Sequence, residues 1–306
     1  MSNSERDLVI VGGGIAGMTA AIYGARAGLD LLLLEKTVCG GVANSSGRVE
    51  NFPSHGAISG TELMRKVRTQ VQAFQVAIEE LTEVEDVQVE SPWKLVVTSA
   101  GRYLAKALII ATGSVPNRLP IEASCDERVH YCALCDGPLY KGKDIVVVGG
   151  GNTGFDESLY LVSLGVRSVV LVECRDTCGA ADSVQSRARS TGRIEVRTNC
   201  RVCTVVPQND RVRMTGEDVR TGSSDVVITD GVFVYVGHRP HTAIVDGKLN
   251  LDRSGYIMTD ALMHTSCPGV FAAGDVIAKT YRQLTTAMAD GTIAALEASR
   301  YVREWR

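Results

Sequence analysis

Apolar residues in this chain gather in short unbroken runs rather than in alternation. Leu8–Val11, Leu31–Leu34, Ala107–Ile110 and Ile145–Val148 each hold four consecutive apolar positions, the pattern of strands buried on both faces of a sheet. Two of these runs end in glycine triplets. Asp7-Leu-Val-Ile-Val-Gly-Gly-Gly-Ile-Ala-Gly17 and Asp144-Ile-Val-Val-Val-Gly-Gly-Gly-Asn-Thr-Gly154 each read as a strand, a glycine turn and a helix, and Asp7–Gly28 overlies Asp144–Gly165 at a constant offset of 137 residues. A second strand follows in each copy, Leu31–Glu35 and Ser168–Glu173, and each ends on an acid.

This pattern predicts an α/β protein of two Rossmann-like three-layer domains. In such folds the first glycine permits the tight turn, the second lets backbone approach a pyrophosphate, and the third lets helix and strand pack closely. An acid at the end of the second strand is suited to hydrogen-bond an adenosine ribose. Ala107–Gly113 reads as a buried strand ending in a turn, and Gly269–Asp275 as another strand with a carboxylate at its C-terminal edge. The second fold is therefore expected inside the first, with residues 1–113 and 244–306 forming one domain and 114–243 the other.

Composition changes this picture little. A length of 306 residues suits two domains, and 45% hydrophobic with 22% charged residues describes an ordinary globular chain. A formal charge of -3 argues against nucleic acid as the main partner. The N-terminus shows no basic region followed by an apolar one, and no apolar run is long enough to span a bilayer. The expected setting is the cytoplasm, without a membrane.

Nine cysteines are scattered along the chain. Cys132-Ala-Leu-Cys135-Asp136 lies just before the second glycine motif, and a CxxC beside a dinucleotide fold points to electron transfer between a nucleotide cofactor and a disulfide. A second CxxC, Cys200–Cys203, falls in the β-branched stretch Ile194–Val206, where positions three apart point to opposite faces and a disulfide would be strained. A four-thiolate zinc site ranks well below the redox reading, and no metal is expected.

These residues resemble the low-molecular-weight thioredoxin reductases over essentially the whole chain. The resemblance rests on Gly12–Gly17, Glu35-Lys36, Gly40-Gly41, Val49–Pro53 and Ala111-Thr112-Gly113. It continues through Cys132–Gly137, Gly237–Pro240, Gly269–Asp275 and Tyr281-Arg282-Gln283. It implies FAD in the first site, with Gly12, Gly14, Ile15, Ala16 and Gly17 at the pyrophosphate and Glu35 on the ribose. Lys36, Gly41, Val42, Ala111, Thr112, Gly113 and Gly274 would line the same site. Asp275 would hold a ribityl hydroxyl, Asn51 would lie near the flavin ring, and Arg282-Gln283-Leu284 would begin a helix aimed at it. Cys135 would face the flavin, Cys132 would attack the disulfide of thioredoxin or a similar protein, and Asp136 would manage the thiol protons. A homodimer is also implied, as is rotation of the inserted domain on crossings at 113–120 and 237–242.

Two departures stand out. Val42 replaces a glutamine that relatives carry near the flavin. In the second site, Gly149, Gly151 and Gly154 are present, but Glu173-Cys-Arg175 stands where NADPH-dependent relatives place several phosphate-binding arginines. A carboxylate there repels a 2′-phosphate and suits a free ribose hydroxyl, which disfavours NADPH. The remaining donors are NADH, with Glu173 on its ribose, or a ferredoxin. Residues 187–220 hold eight arginines and four acids, and this surface places ferredoxin slightly ahead of NADH as an acidic carrier steered by charge, although a plain solvated face is the simpler account. The alternatives to a reductase are a small-molecule dithiol oxidase using oxygen and a flavin-binding redox sensor. His130 reads as a solvated loop histidine, and His238 and His241 as structural residues at the return crossing.

Overall fold

The computed structural model describes residues 4–90, 92–119 and 126–305. From the N-terminus the chain forms strand β1 (Ser4–Val11), helix α1 (Ile15–Arg26), β2 (Leu31–Leu34), α2 (Gly60–Ala73), β3 (Ala77–Glu79), β4 (Val84–Gln88), β5 (Lys94–Thr98) and β6 (Arg102–Ile110). A short strand β7 (Ser114–Pro116) follows. The next segment comprises β8 (Val129–His130), α3 (Ala133–Asp136), β9 (Asp144–Val148), α4 (Asn152–Ser163), β10 (Ser168–Val172), α5 (Asp182–Ser190), β11 (Ile194–Arg197), β12 (Cys200–Gln208), β13 (Arg211–Asp218), β14 (Ser224–Thr229) and β15 (Gly231–Val234). The chain ends with β16 (His238–Pro240), β17 (Val270–Ala272) and α6 (Leu284–Arg303).

Two compact units result, one of Met1–Asn44, Val49–Val115 and Arg239–Arg306, the other of Ser45–Arg48 and Pro116–His238. In the first, the sheet runs β3-β2-β1-β6-β5-β4, with β17 also on β6. Its strands β1, β2, β3, β6 and β17 pair in parallel, and β4 and β5 add an antiparallel edge. The predicted apolar runs form the centre: Leu8–Ile10 and Ala107–Ile110 are fully buried. Helices α1 and α6 approach so closely that a Cβ at Gly291 would stand 2.2 Å from the Ala16 carbonyl oxygen.

The second unit has a parallel sheet, β11-β10-β9-β15-β8, and an antiparallel sheet, β12-β13-β14. Alternation along β9 explains its three layers. Ile145 and Val147 pack with Phe155 and Leu161 of α4, whereas Val146 and Val148 pack with Val205, Val212 and Met214 of the antiparallel sheet. Strand side chains alternate faces, so one strand supplies two cores. The α/β, two-domain architecture expected from the apolar runs is the one observed.

The crossings at β7 and β16 pair with each other as a two-stranded sheet. The Asn117 N–H donates to the Gly237 carbonyl at 3.0 Å, and the His241 N–H to that of Gly113 at 3.0 Å. Pro120, at the far end of the first expected hinge, lies outside the described residues, as do Met1–Asn3 and Cys125. No helix among the described residues is long and apolar enough to cross a membrane.

One core residue conflicts with its surroundings. Glu157 of α4 is 7% exposed, and its Oε2 has no hydrogen-bond partner. Burial, with Asp156 adding to it, pushes this carboxyl up to about 8. The group therefore takes up a proton on folding between its ordinary value of 4.5 and about 8, so its contribution to stability falls as pH rises through that window. Glu157→Gln should leave stability at pH 4 nearly unchanged and raise it by about 2–4 kcal/mol at pH 8, measured by urea unfolding across that range.

Candidate functional site

The first site is built where β1 ends. Gly12 turns the chain with φ of 108°, and a Cβ on it would stand 2.3 Å from the Ala111 carbonyl oxygen. A side chain at Gly17 would meet the Gly12 carbonyl at 1.9 Å, so α1 leaves the turn at close range. Gly14 caps α1 with no side chain accepting its first N–H groups, no acid lies in the first turn, and a Cβ on Gly14 would meet nothing within 4 Å. An uncapped helix start opening on space is the arrangement that accepts a phosphate. Ile15 and Ala16 form the buried first turn.

Glu35 follows β2 directly. Its Oε2 accepts the Gly13 N–H at 2.7 Å, and its Oε1 accepts the Thr37 N–H at 2.8 Å and the Thr37 hydroxyl at 2.9 Å. Lys36 instead pairs with Glu83 at 2.7 Å on the exposed side. Gly41 brings its own backbone against Gly14, where a Cβ would lie 3.2 Å from the Gly14 Cα. Val42, beside it, is exposed. Gly274, at the end of β17, abuts Ala16, for a Cβ on it would stand 2.8 Å from that of Ala16. Thr112 donates its hydroxyl to the His241 carbonyl at 2.6 Å, next to Ala111 and Gly113.

A second group surrounds the start of α6. Gln283 is its N-cap and forms a reciprocal capping box with Thr286. The Asn51 amide donates to Gln283 Oε1 at 3.0 Å. Arg282 lies with its guanidinium 3.9 Å above the Tyr256 ring and donates to the Ile277 carbonyl at 3.3 Å. Asp290, from the body of α6 and 9% exposed, accepts the Gly274 N–H at 3.2 Å and the Lys279 ammonium at 2.7 Å. Asp275 Oδ1 is buried without a hydrogen-bond partner, 3.7 Å from Lys279.

The second unit carries the dithiol segment and the second glycine turn. Cys132 and Cys135 form a disulfide, and the Cys132 sulfur accepts the Cys135 N–H at 3.1 Å. Cys200 and Cys203 remain free thiols, with a bulge between Val202 and Thr204. Asp136 lies at the end of α3, and its Oδ2 is 3.2 Å from His130 Nδ1. His130 is not the solvated loop residue expected. It belongs to β8, its side chain is 11% exposed, and it is held between the rings of Tyr140 and Phe233. A two-residue edge strand is too short to show any periodicity, and this hid the placement from the sequence.

The second turn repeats the first. Gly149 has φ of 118°, a Cβ on Gly154 would stand 1.9 Å from the Gly149 carbonyl, and Gly151 caps α4 without a side-chain bond. Glu173 takes the place of Glu35: its Oε2 accepts the Gly150 N–H at 2.7 Å, and its Oε1 accepts the Arg175 N–H at 3.1 Å. The Arg175 guanidinium also lies on it, with Nε at 3.1 Å. Burial by itself raises this carboxyl, but the Arg175 side chain and N–H, the Gly150 N–H and the Cys174 thiol outweigh it and hold the group at about 2. Glu173 is thus ionised at every working pH. Among the described residues no group of three or more His, Cys, Asp or Glu is placed to hold a metal ion.

Residues 6–291 match the pyridine nucleotide-disulphide oxidoreductase family. The chain belongs to that family. It is 40% identical to a Clostridium pasteurianum protein described as a 34.2 kDa protein in a rubredoxin operon, over 97% of each chain. It is 38% identical to the thioredoxin reductase of Mycolicibacterium smegmatis, over 99% of this chain and 98% of that one. The solved structure of Lactococcus lactis thioredoxin reductase matches with a TM-score of 0.94 at 35% identity, covering 98% of this chain and 99% of that one. The protein is accordingly a thioredoxin reductase-like flavoenzyme, and its family implies FAD and a pyridine nucleotide.

The residues fit the flavin nucleotide. The open, uncapped start of α1 suits its pyrophosphate, and the orphaned Asp275 oxygen is an acceptor awaiting a hydroxyl. Sequence reasoning missed Thr37, Thr286, Lys279 and Asp290, all of which support these groups. The Gln-x-x-Thr spacing at 283–286 was a visible signal for the capping box, but nothing local marks Asp290 as a partner of Gly274. Asp290→Ala should cost about 2 kcal/mol in urea unfolding, because it leaves the largely buried Lys279 ammonium with only the more distant Asp275 carboxylate, 3.7 Å away. Double substitution with Lys279→Met should recover part of that loss.

Proposed function

We propose that the protein reduces a protein disulfide, that of thioredoxin or a thioredoxin-like partner, through Cys132–Cys135. The observation that carries this reading is the Cys132–Cys135 disulfide next to Asp136, in a chain with a duplicated glycine-turn fold. FAD, when bound, supplies the two electrons that open the disulfide. Glu35, the glycines of the first turn and Asp275 would hold it, and the start of α6 would face its ring with positive backbone dipole. Opening the disulfide consumes two electrons and two protons and leaves two thiols. Asp136 would take the proton from Cys132, and the resulting thiolate would attack one sulfur of the partner disulfide. The partner's first sulfur leaves and would take up the proton held by Asp136; the Cys135 sulfur then attacks Cys132, displaces the partner's second sulfur and passes its proton to it, restoring Cys132–Cys135 and releasing a dithiol.

The same reading assigns NADH as the donor, bound at the second turn with Glu173 on its adenosine ribose. Its support is the match between the two carboxylates. Glu35 and Glu173 each hold the second glycine's N–H and the N–H two residues on, and Glu173 adds the Cys174 thiol and the exposed Arg175 side chain, which can swing away. An ionised carboxylate accepts a ribose 2′-hydroxyl and repels a 2′-phosphate. The arginine-rich stretch weighs less for a ferredoxin than its composition suggested. Arg187, Arg197, Arg201, Arg211 and Arg220 are paired with acids of the same unit, which reduces the field available for steering.

Anaerobic mixing of the oxidised holoprotein with NADH, NADPH or reduced ferredoxin, followed by flavin absorbance, tests the donor. NADH should bleach the flavin fastest, and Glu173→Gln should raise its KM about tenfold. Rapid bleaching by NADPH sinks the donor assignment. Failure of the bleached enzyme to reduce a thioredoxin disulfide, with oxygen uptake on a small dithiol instead, would replace the reductase with a dithiol oxidase.

A further inference from the structure

The pair Cys132–Cys135 has a buried polar neighbour that the reaction above does not use. His130 lies at the edge of the parallel sheet, opposite Phe233 in the register of β8 and β15. Its Nε2 is 2.6 Å from the Tyr140 hydroxyl, and its Nδ1 is 3.2 Å from Asp136 Oδ2. Tyr140 is 5% exposed and also stands edge-on to Phe233. The histidine thus has one partner at each ring nitrogen and aromatic rings against it.

Chemistry at the two nitrogens decides the proton. Burial lowers the proton affinity of His130 despite the pull of Asp136, and burial raises that of the Tyr140 phenol, so both are neutral near pH 7. A neutral phenol beside a neutral imidazole donates, so Nε2 is the acceptor and the imidazole proton resides on Nδ1. Nδ1–H then donates to Asp136 Oδ2. One carboxylate oxygen is held from behind by a group that is itself held by the core. The other titratable or charged groups around this chain are Arg128 and Asp230, which act on Tyr140; Lys143, 5.3 Å from the Tyr140 ring centre; and Tyr235 with Glu157.

We infer that His130 is the positioning residue of the thiol chemistry: locked as the Nδ1–H tautomer by Tyr140, it fixes the orientation of the Asp136 carboxylate, next in sequence to Cys135. This inference rests on the reductase reading for Asp136's role, but the hydrogen-bonded chain is a property of the protein itself. A donor to a carboxylate stabilises its charged form. Without it, the rotamer of Asp136 is no longer set.

The test uses the full-length holoprotein, reduced with dithiothreitol and freed of reductant without oxygen. Iodoacetamide alkylation of Cys132, followed by peptide mass, is measured from pH 5 to 9 for wild type, His130→Ala, His130→Gln and Tyr140→Phe. The pH profile of Cys132 alkylation should shift by on the order of one pH unit in His130→Ala, because the carboxylate next to the thiol segment is no longer held in place. His130→Gln, whose amide can donate to Asp136 and accept from Tyr140, should restore most of it. Tyr140→Phe, which releases the tautomer, should fall between wild type and His130→Ala. In single-turnover reduction of a thioredoxin disulfide, His130→Ala should lose roughly tenfold in rate with unchanged half-saturation. Superimposable alkylation profiles for wild type and folded His130→Gln and Tyr140→Phe, with His130→Ala also unshifted, overturn the inference. If wild type fails to reduce thioredoxin while the alkylation shift persists, the reductase reading fails and the His130–Asp136 coupling stands.

Discussion

Each glycine turn leaves a backbone N–H with no strand or helix to accept it, and in both units a glutamate from the neighbouring strand does so. The Gly13 N–H reaches Glu35 and the Gly150 N–H reaches Glu173, both at 2.7 Å. Buried N–H groups must be paired, so turn, acid and the two adjacent strands form one indivisible piece. The launch of α1 and α4 depends on it, because each helix leaves at the close range that only Gly17 and Gly154 allow. The open helix start at Gly14 or Gly151 is in turn an arrangement suited to a pyrophosphate.

Against this shared frame the two sites diverge by their third partner. At Glu35 it is the Thr37 hydroxyl, a neutral group that leaves the site's negative charge intact. At Glu173 it is the Arg175 guanidinium, which neutralises the carboxylate until it moves. The charge at the mouth of the second site is therefore set by a side chain that is 63% exposed, and such a pair is weak. Under the proposed donor assignment, discrimination between ribose hydroxyl and phosphate would reside in the buried carboxylate.

The disulfide segment solves a different problem. A redox pair needs proton-exchanging groups nearby, and these are costly to place against a core. Here Tyr140, His130 and Asp136 satisfy one another in series, so both nitrogens of the imidazole have a partner. The series ends on the most exposed member, Asp136, the residue that follows Cys135 in sequence. Phe233 supplies the apolar wall against which the imidazole is fixed.

Much of this was legible from the chain alone. Runs such as Leu31–Leu34 and Ile145–Val148 mark buried strands because a strand covered on both faces tolerates no polar side chain. The glycine spacing marks the turns because only glycine accepts φ of 108° at Gly12 and the approach at Gly17. Both demands act over a few residues, so sequence determined the two-fold architecture, the candidate cofactor turns and the place of the dithiol. Tertiary structure alone decided the state of the charges. Whether Arg197 faces solvent or Asp225, whether Glu157 holds a proton, whether Lys279 finds Asp290, and whether His130 sits in a loop or against Phe233 all depend on groups brought together from distant positions. Ionisation follows burial and distance through space, and neither is written in local order along the chain.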